Sequence, residues 1–357
     1  MALQEIAVHS FSQHCSRMFY IHQSSCIAAQ HFFVDPSIQT ITESVNNKLY
    51  ALDSNYDSIP PNVLRRLGKA VKMGISTGYE IISKHAVDGI VLGTANGGLE
   101  DCIKFLNQII QFEEGRLTPT NFVQSTTNAI AGQLGIMTSN KGYNITHVHR
   151  GLAFENAMID IEMLLDEHPE NTYLLGGVDE ISEYNYTIEE LAGLYKKEII
   201  SNTKLLESTT AGTIAGEGAA MFIVNNVKDN ASAVVHGIKT LHTTNEETII
   251  QQLSIFLEEY LPKNEHVDFI LSGKNGDVRQ NAYYKNIEDQ LQDASVNYYK
   301  HLTGDFPTAS AVSLWLALNT NIFNKVLEIQ SENPICHILL YNTFKGKQHS
   351  FILVSTL

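Results

Sequence analysis

Ala86-Val87-Asp88-Gly89-Ile90-Val91-Leu92-Gly93 reads as a buried strand, Thr94-Ala95-Asn96-Gly97-Gly98 as a glycine turn, and Leu99 to Ile110 as the helix that follows. The same order returns far downstream, with strand His266-Val267-Asp268-Phe269-Ile270-Leu271-Ser272-Gly273, turn Lys274-Asn275-Gly276 and helix Asp277 to Leu291. A second unit follows each. Tyr143 to His149 and then Arg150-Gly151 lead into a helix from Leu152 to Leu165, while Ser295 to Lys300 and then Thr303-Gly304-Asp305 lead into one from Thr308 to Leu318. Short apolar strands alternating with amphipathic helices predict parallel sheet with helical crossovers. Two such halves in one chain indicate an internal duplication. Strand, glycine turn and helix in this order bring side chains and helix N-termini to the carboxyl ends of the strands, where α/β sheets build their sites.

Between the halves, Tyr173-Leu174-Leu175-Gly176-Gly177-Val178-Asp179 is a further buried strand. Ser182 to Thr213 is more polar and reads as a helix-and-loop insertion. Ala215-Gly216-Glu217-Gly218-Ala219-Ala220 then runs into the apolar strand ending at Val224. With no long linker, the expected organisation is two closely packed halves, residues 1–225 (carrying the insertion at about 182–213) and 226–357.

The 357 residues are 43% hydrophobic, the balance of an ordinary globular core. No apolar run reaches the ~18 residues a membrane span needs, and Met1 to Ile6 lack the basic and apolar regions of a signal peptide. The four cysteines, Cys15, Cys26, Cys102 and Cys336, are scattered without a Cys-x-x-Cys pair or a His/Cys cluster. A reduced, cytoplasmic protein without metal or cofactor is expected. The net charge of −15 repels phosphate backbones and anionic lipid, which argues against nucleic-acid and membrane roles. It also disfavours broad docking of an acidic carrier protein.

Taken in order, these segments resemble the β-ketoacyl synthases over most of the chain. Gly93-Thr94-Ala95-Asn96-Gly97-Gly98-Leu99 resembles the family's Gly-Thr-x-x-Gly-Gly-Leu turn. Leu117 to Ser125 with Asn128 to Ile136 is similar to its dimer-interface and substrate-tunnel segment, with Phe122, Gln124, Asn128 and Gln133, and further on Phe344, as candidate tunnel and interface residues. Gly176-Gly177-Val178-Asp179-Glu180 and Gly216-Glu217-Gly218-Ala219-Ala220 resemble two further signatures. Thr303-Gly304 after Lys300 resembles the Lys…Thr-Gly-His turn, and Asn342-Thr343-Phe344 with Ser350 to Val354 the gate loop and final strand. The resemblance implies a thiolase fold, two duplicated βαβαβ-type halves in a five-layered αβαβα core.

The departures carry the functional reading. The family's nucleophilic cysteine stands at a strand-to-helix turn whose helix dipole lowers its pKa. Laying Cys-x-Ser-Gly on this chain puts Val148 at that position. The first family histidine has no counterpart in Leu271 to Asp277, and Asp305 holds the place of the second, where a carboxylate repels an oxyanion. The gate loop reads Lys345-Gly346-Lys347-Gln348-His349 in place of a glycine run. The resemblance therefore implies a chain-length-factor-type subunit, pairing with an active ketosynthase as a heterodimer and meeting the acyl carrier protein mainly through that partner, with a homodimer as the alternative assembly. Aryl-polyene or flexirubin-type pigment synthesis is the setting the resemblance suggests.

A rival reading is an enzyme rebuilt around His147, His149 and Arg150 that transfers or hydrolyses carrier-bound acyl groups; a third is a decarboxylating relative, which would still want the two histidines. His147 and His149, two apart on a strand, face one side. They and Arg150 read either as hydrogen-bonded filling of the vacated site or as an acid/base or anion pair. Lys300 reads as an ion-pair partner of Asp305 or Asp277. Glu155 reads as a buried, hydrogen-bonded acid and Asp160 as a solvated one. Asn128 and Gln133 are expected to hydrogen-bond across a dimer seam.

Overall fold

The computed structural model describes residues 18–33, 35, 40–52, 59, 61–65, 67–115, 117, 119–319 and 337–357. Met1 to Ile6, Cys15 and Cys336, named above, and Thr118, within the Leu117 to Ser125 stretch, lie outside the described residues. The elements run β1 (Phe19–Ile27), β2 (Lys48–Leu49), α1 (Pro61–Leu64), α2 (Lys69–Ile82), β3 (Gly89–Gly93), α3 (Leu99–Gln111), α4 (Pro119–Gln124), α5 (Ala129–Thr138) and β4 (Tyr143–His147). They continue with α6 (Ala153–Glu167), β5 (Tyr173–Asp179), α7 (Glu183–Leu191), β6 (Ala215–Gly216), β7 (Gly218–Asn225), β8 (Ala233–His242) and α8 (Glu246–Tyr260). The last are β9 (Phe269–Ser272), α9 (Asn281–Gln290), β10 (Ser295–Tyr298), α10 (Lys300–Thr303), α11 (Ala309–Leu318), β11 (His337–Phe344) and β12 (Gln348–Thr356).

The strands form a ten-stranded sheet in the order β10-β9-β11-β12-β8-β1-β7-β5-β3-β4. Counted outward from its middle, β1-β7-β5-β3-β4 is repeated by β8-β12-β11-β9-β10, and strand directions repeat as well. β3 is parallel to β4 and β5, and β7 is antiparallel to β5 and β1. β9 is parallel to β10 and β11, and β12 is antiparallel to β11 and β8. The halves join where Phe19–Ile21 pair antiparallel with Ala233–Val235. The echo read from the sequence is thus a repeat of topology.

Helices fill both faces of each half. α6 packs on β3, β4 and β5 and reaches β8, and α11 packs on β5 and β7 and on β11 and β12, so the two form the middle layer. The alternation of a strand assigns its residues to layers: Val91 joins Phe154, Met158 and Leu316 in the central cluster, while its neighbours Ile90 and Leu92 join Ile75, Ile130 and Leu134 under α2 and α5. A third cluster, with Leu253, Phe256, Ile287, Leu339 and Phe351, lies under α8 and α9. Five layers result, helix, sheet, helix, sheet, helix. α11 is apolar all round (Ala309-Ser310-Ala311-Val312-Ser313-Leu314-Trp315-Leu316-Ala317) because sheet covers it on both sides, and every one of these residues is buried. Each fully buried Val or Leu there contributes roughly 1.5–3 kcal/mol.

Two local readings change. The strand leading to Val224 is broken into β6 and β7 at Glu217, whose buried carboxylate accepts hydrogen bonds from the amides of Ala51 and Ile181 at 2.8 Å each. The helix expected from Asp277 opens with a tight 3-10 turn at Val278–Gln280, because the Asp277 side chain accepts from the Arg279 amide at 3.1 Å and caps it.

Candidate functional site

The carboxyl ends of β3 and β5 meet at Asp179. Its Oδ1 accepts from Thr94 Oγ1 at 3.1 Å, the Ala95 amide at 3.0 Å and the Asn96 amide at 2.8 Å, and its Oδ2 from Thr308 Oγ1 at 2.9 Å. One carboxylate thereby ties the β3–α3 turn of the first half to the start of α11 in the second. Burial pushes the Asp179 carboxyl up to about 6 against the opposing pull of these donors. Next along the chain, Glu180 accepts from the Ala70 amide at 2.9 Å. Burial, aided by the charge of Glu217, pushes Glu180 up to about 7. An acid at the exit of an all-apolar strand was the signal for Asp179 in the sequence. Its role as a tie between halves was not readable there, since three of its partners lie 83–85 residues away and the fourth 129.

In the second half, at the β10–α11 turn, Lys300 Nζ lies 2.8 Å from Asp305 Oδ1, with the side chains only 1% and 4% exposed. Asp305 Oδ2 accepts from Asn275 Nδ2 at 2.8 Å, so the β9–α9 turn is held by the same carboxylate. Of the two partners considered for Lys300, Asp305 is the one; Asp277 pairs with Arg279 at 2.6 Å. Glu155 on α6 is fully buried, accepts from Ser350 Oγ at 2.8 Å, and is pushed above the usual carboxylate range by that burial.

The β4–α6 turn departs from its sequence reading. Arg150 takes left-handed backbone (φ 50°), uncommon for a side chain of its kind, and opens a tight 3-10 turn before α6. Val148, His149 and Arg150 are exposed. His149 and Arg150 therefore do not fill a vacated pocket. His149 Nδ1 instead sits 2.8 Å from Asn156 Nδ2, and His147 Nε2 2.9 Å from Asp160 Oδ2, so both imidazoles lie along α6. Asp160 is not a solvated acid: Tyr143 O–H also donates to it, at 3.2 Å, and its side chain is 16% exposed. The space above the turn is taken by Phe344 and Gln348. A methyl group on Gly151 would land inside the Phe344 side chain, so only glycine fits. The Gly151 amide donates to Gln348 Oε1 at 3.1 Å, and Gln348 Nε2 donates to the His149 carbonyl at 3.4 Å.

Between these turns lies a cavity of about 30 Å³, bordered by Asn96, Glu180, Tyr195, Asp305, Phe306 and Phe344. That is room for about one water molecule. Leu194 also borders an open outer cleft of about 350 Å³, lined by Arg279 and by the short hairpin turn Lys345–Lys347, in which Lys345 and Gly346 are both left-handed. Lys345 Nζ is ion-paired with Glu189 on α7.

The expected tunnel and interface residues are dispersed. Phe122 is 57% exposed and packs against Phe105, ring centroids 5.4 Å apart. Gln124 is buried and its Oε1 accepts from the Gly68 amide at 2.7 Å. Asn128 donates to Asn144 Oδ1 at 3.0 Å and accepts from Thr146 Oγ1 at 2.8 Å, bracing α5 on β4. Gln133 is half-buried on α5. Neither described cysteine stands in a strand-to-helix turn. Cys26 is buried near the end of β1, its thiol pushed up by burial, and Cys102 lies on α3. Among the described residues no group of three or more His, Cys, Asp or Glu is placed to hold a metal ion, and no helix is long and apolar enough to cross a membrane.

Residues 42–210 match the family model for the β-ketoacyl synthase N-terminal domain. A search of the curated proteins finds no match. Among solved structures, the ishigamide ketosynthase/chain length factor superposes with a TM-score of 0.75 at 11% identity, covering 96% of this chain and 99% of that one. A β-ketoacyl synthase from Burkholderia phymatum STM815 gives 0.74 at 11% identity, covering 95% and 99%. A type II polyketide synthase acyl-carrier protein in complex with its ketosynthase bound to the hexaketide gives 0.72 at 14% identity, covering 95% and 99%. The fold is that of the ketosynthases, the thiolase fold.

Proposed function

We propose that this ketosynthase-like chain is a non-catalytic subunit of the chain-length-factor type, which pairs with an active β-ketoacyl synthase in the assembly of a polyketide or polyene chain. The observation that carries the reading is the state of the strand ends. Where a condensing enzyme needs a thiol and room for an acyl thioester, the described residues hold a buried Lys300–Asp305 pair, Phe344 pressed on Gly151, and a cavity of about 30 Å³. Pockets that take small ligands run to roughly 300–1,000 Å³.

Pairing is supported by the edge of the sheet. β4 is its terminal strand, and Ile136, Tyr143, Val148 and Met163 on and beside it are exposed. An unpaired edge flanked by apolar side chains favours association. The net charge of −15 disfavours direct docking of an acidic carrier protein, so that contact falls mainly to the partner. Aryl-polyene or flexirubin-type pigment synthesis is the proposed setting. The rebuilt-enzyme reading is not favoured, because His147, His149 and Arg150 turn along α6 and outward and do not border the cavity. Co-expression with a candidate ketosynthase, copurification and analytical ultracentrifugation test the proposal. A one-to-one complex is expected; a monomer at micromolar concentration with and without the partner contradicts it.

A further inference from the structure

At the end of the second half opposite the candidate site, two histidines share one serine, with two carboxylates and a third histidine beside them. His236 on β8 places Nε2 2.7 Å from Ser355 Oγ on β12, and the same oxygen lies 2.6 Å from His337 Nδ1 on β11. His337 and Ser355 are buried, at 8% and 3% exposure. His337 Nε2 points to Glu265 Oε2 at 3.7 Å, and the His337 amide donates to Asp268 Oδ2 at 2.7 Å. Asp268 Oδ1 in turn lies 3.2 Å from His266 Nε2. Tyr260, at the end of α8, lies against Gly237 beside His236. These are the titratable groups that face the pair among the described residues.

A hydroxyl has one proton and two lone pairs. With both imidazoles neutral, the serine O–H finds an acceptor in this pair only if one ring donates to Ser355 Oγ and the other accepts from it. The arrangement that satisfies every partner has His236 Nε2–H donating to the serine, the serine O–H donating to His337 Nδ1, and His337 Nε2–H facing the Glu265 carboxylate. An added proton then has one good place. On His337 Nδ1 it turns that nitrogen into a donor to Ser355 Oγ, which accepts from both rings while its own O–H turns away, and the positive ring faces Glu265. On His236 it would have no carboxylate within reach. A second proton would set two cations side by side, with ring centroids 5.8 Å apart.

We propose that His236, Ser355 and His337 form a unit that holds a single proton, on His337, and thereby makes the attachment of the Glu265–Asp268 loop to the second half-sheet pH-dependent. Protonation strengthens the His337–Glu265 contact and leaves His236 neutral. Burial, with repulsion from His337, independently holds His236 down at about 4.

The test is a histidine NMR titration of the full chain, with amide hydrogen exchange of residues 264–269 followed over the same pH range. His236 is expected to stay neutral to about pH 4 while the shared proton sits on His337, and loop protection should rise as that proton is taken up. Glu265→Gln, at a half-exposed position that leaves the core untouched, should abolish the rise in protection, and Ser355→Ala should change the protonation of both rings together. Protonation of His236 before or together with His337, or loop protection unmoved by Glu265→Gln, overturns the proposal.

Discussion

Replacing Lys300 with methionine would leave the Asp305 carboxylate at 4% exposure with no cation. Methionine nearly matches the length and volume of the lysine stem, so packing changes little and the lost charge dominates. Breaking a buried pair from one side costs about 3–5 kcal/mol, since the stranded charge keeps its desolvation penalty. The lower half of that range applies here, because Asn275 Nδ2 still donates to Oδ2 at 2.8 Å. A loss of about 3–4 kcal/mol corresponds, for a chain of 357 residues, to a fall in Tm of roughly 4–5 °C. The second substitution makes the argument specific. Asp305→Asn in the Lys300→Met background removes the stranded charge and keeps an oxygen for Asn275, so it should restore at least about half of the loss. Thermal and urea unfolding of wild type, single and double variants, followed by circular dichroism, give the cycle. A Lys300→Met chain within about 1 kcal/mol of wild type, or a double variant as unstable as the single, would refute the claim that this pair holds the second-half turn closed.

Three further outcomes are expected. Gly151→Ala should cost about 1–3 kcal/mol by driving Phe344 out of its seat, and Phe344→Ala in the same chain should relieve part of that cost; thermal shifts of the three variants check it. His349 donates to the Thr243 carbonyl and accepts from the Tyr341 hydroxyl, each at 3.0 Å, and burial holds it down at about 4. The stability it confers is therefore complete above pH 6.5 and is lost as the pH falls from there toward 4, so the urea midpoint of His349→Gln should fall less steeply than wild type over that window; parallel slopes contradict this. Iodoacetamide should modify Cys102 well before the buried Cys26, and neither at the rate of an activated thiolate, as peptide mass spectrometry would show.

Much of the fold was legible because its signals are local. The strand–glycine–helix units at Gly89 and Phe269 carry their punctuation in sequence, and their repetition implied a duplicated pair of halves, while the layered order came with the family resemblance. The Lys300–Asp305 pair was legible for a related reason, since a turn of five residues leaves few other partners. The β4–α6 turn was not. Whether His149 and Arg150 point into a pocket or outward depends on one left-handed residue, Arg150, with nothing in its side chain to announce that backbone. The intrachain partners of Asn128 were hidden for a different reason: Asn144 and Thr146 become its neighbours only when α5 docks on β4. Asp160 likewise gains His147 and Tyr143 through the packing of α6 against the edge strand.

The central claim is that this chain accepts no acyl group and works through a partner that does. Its most direct test is intact-protein mass spectrometry of the purified complex after incubation with an acyl thioester of the carrier protein. The account predicts a mass increase on the partner ketosynthase and none on this chain. A stoichiometric acyl adduct on this chain, removable by hydroxylamine, would contradict it.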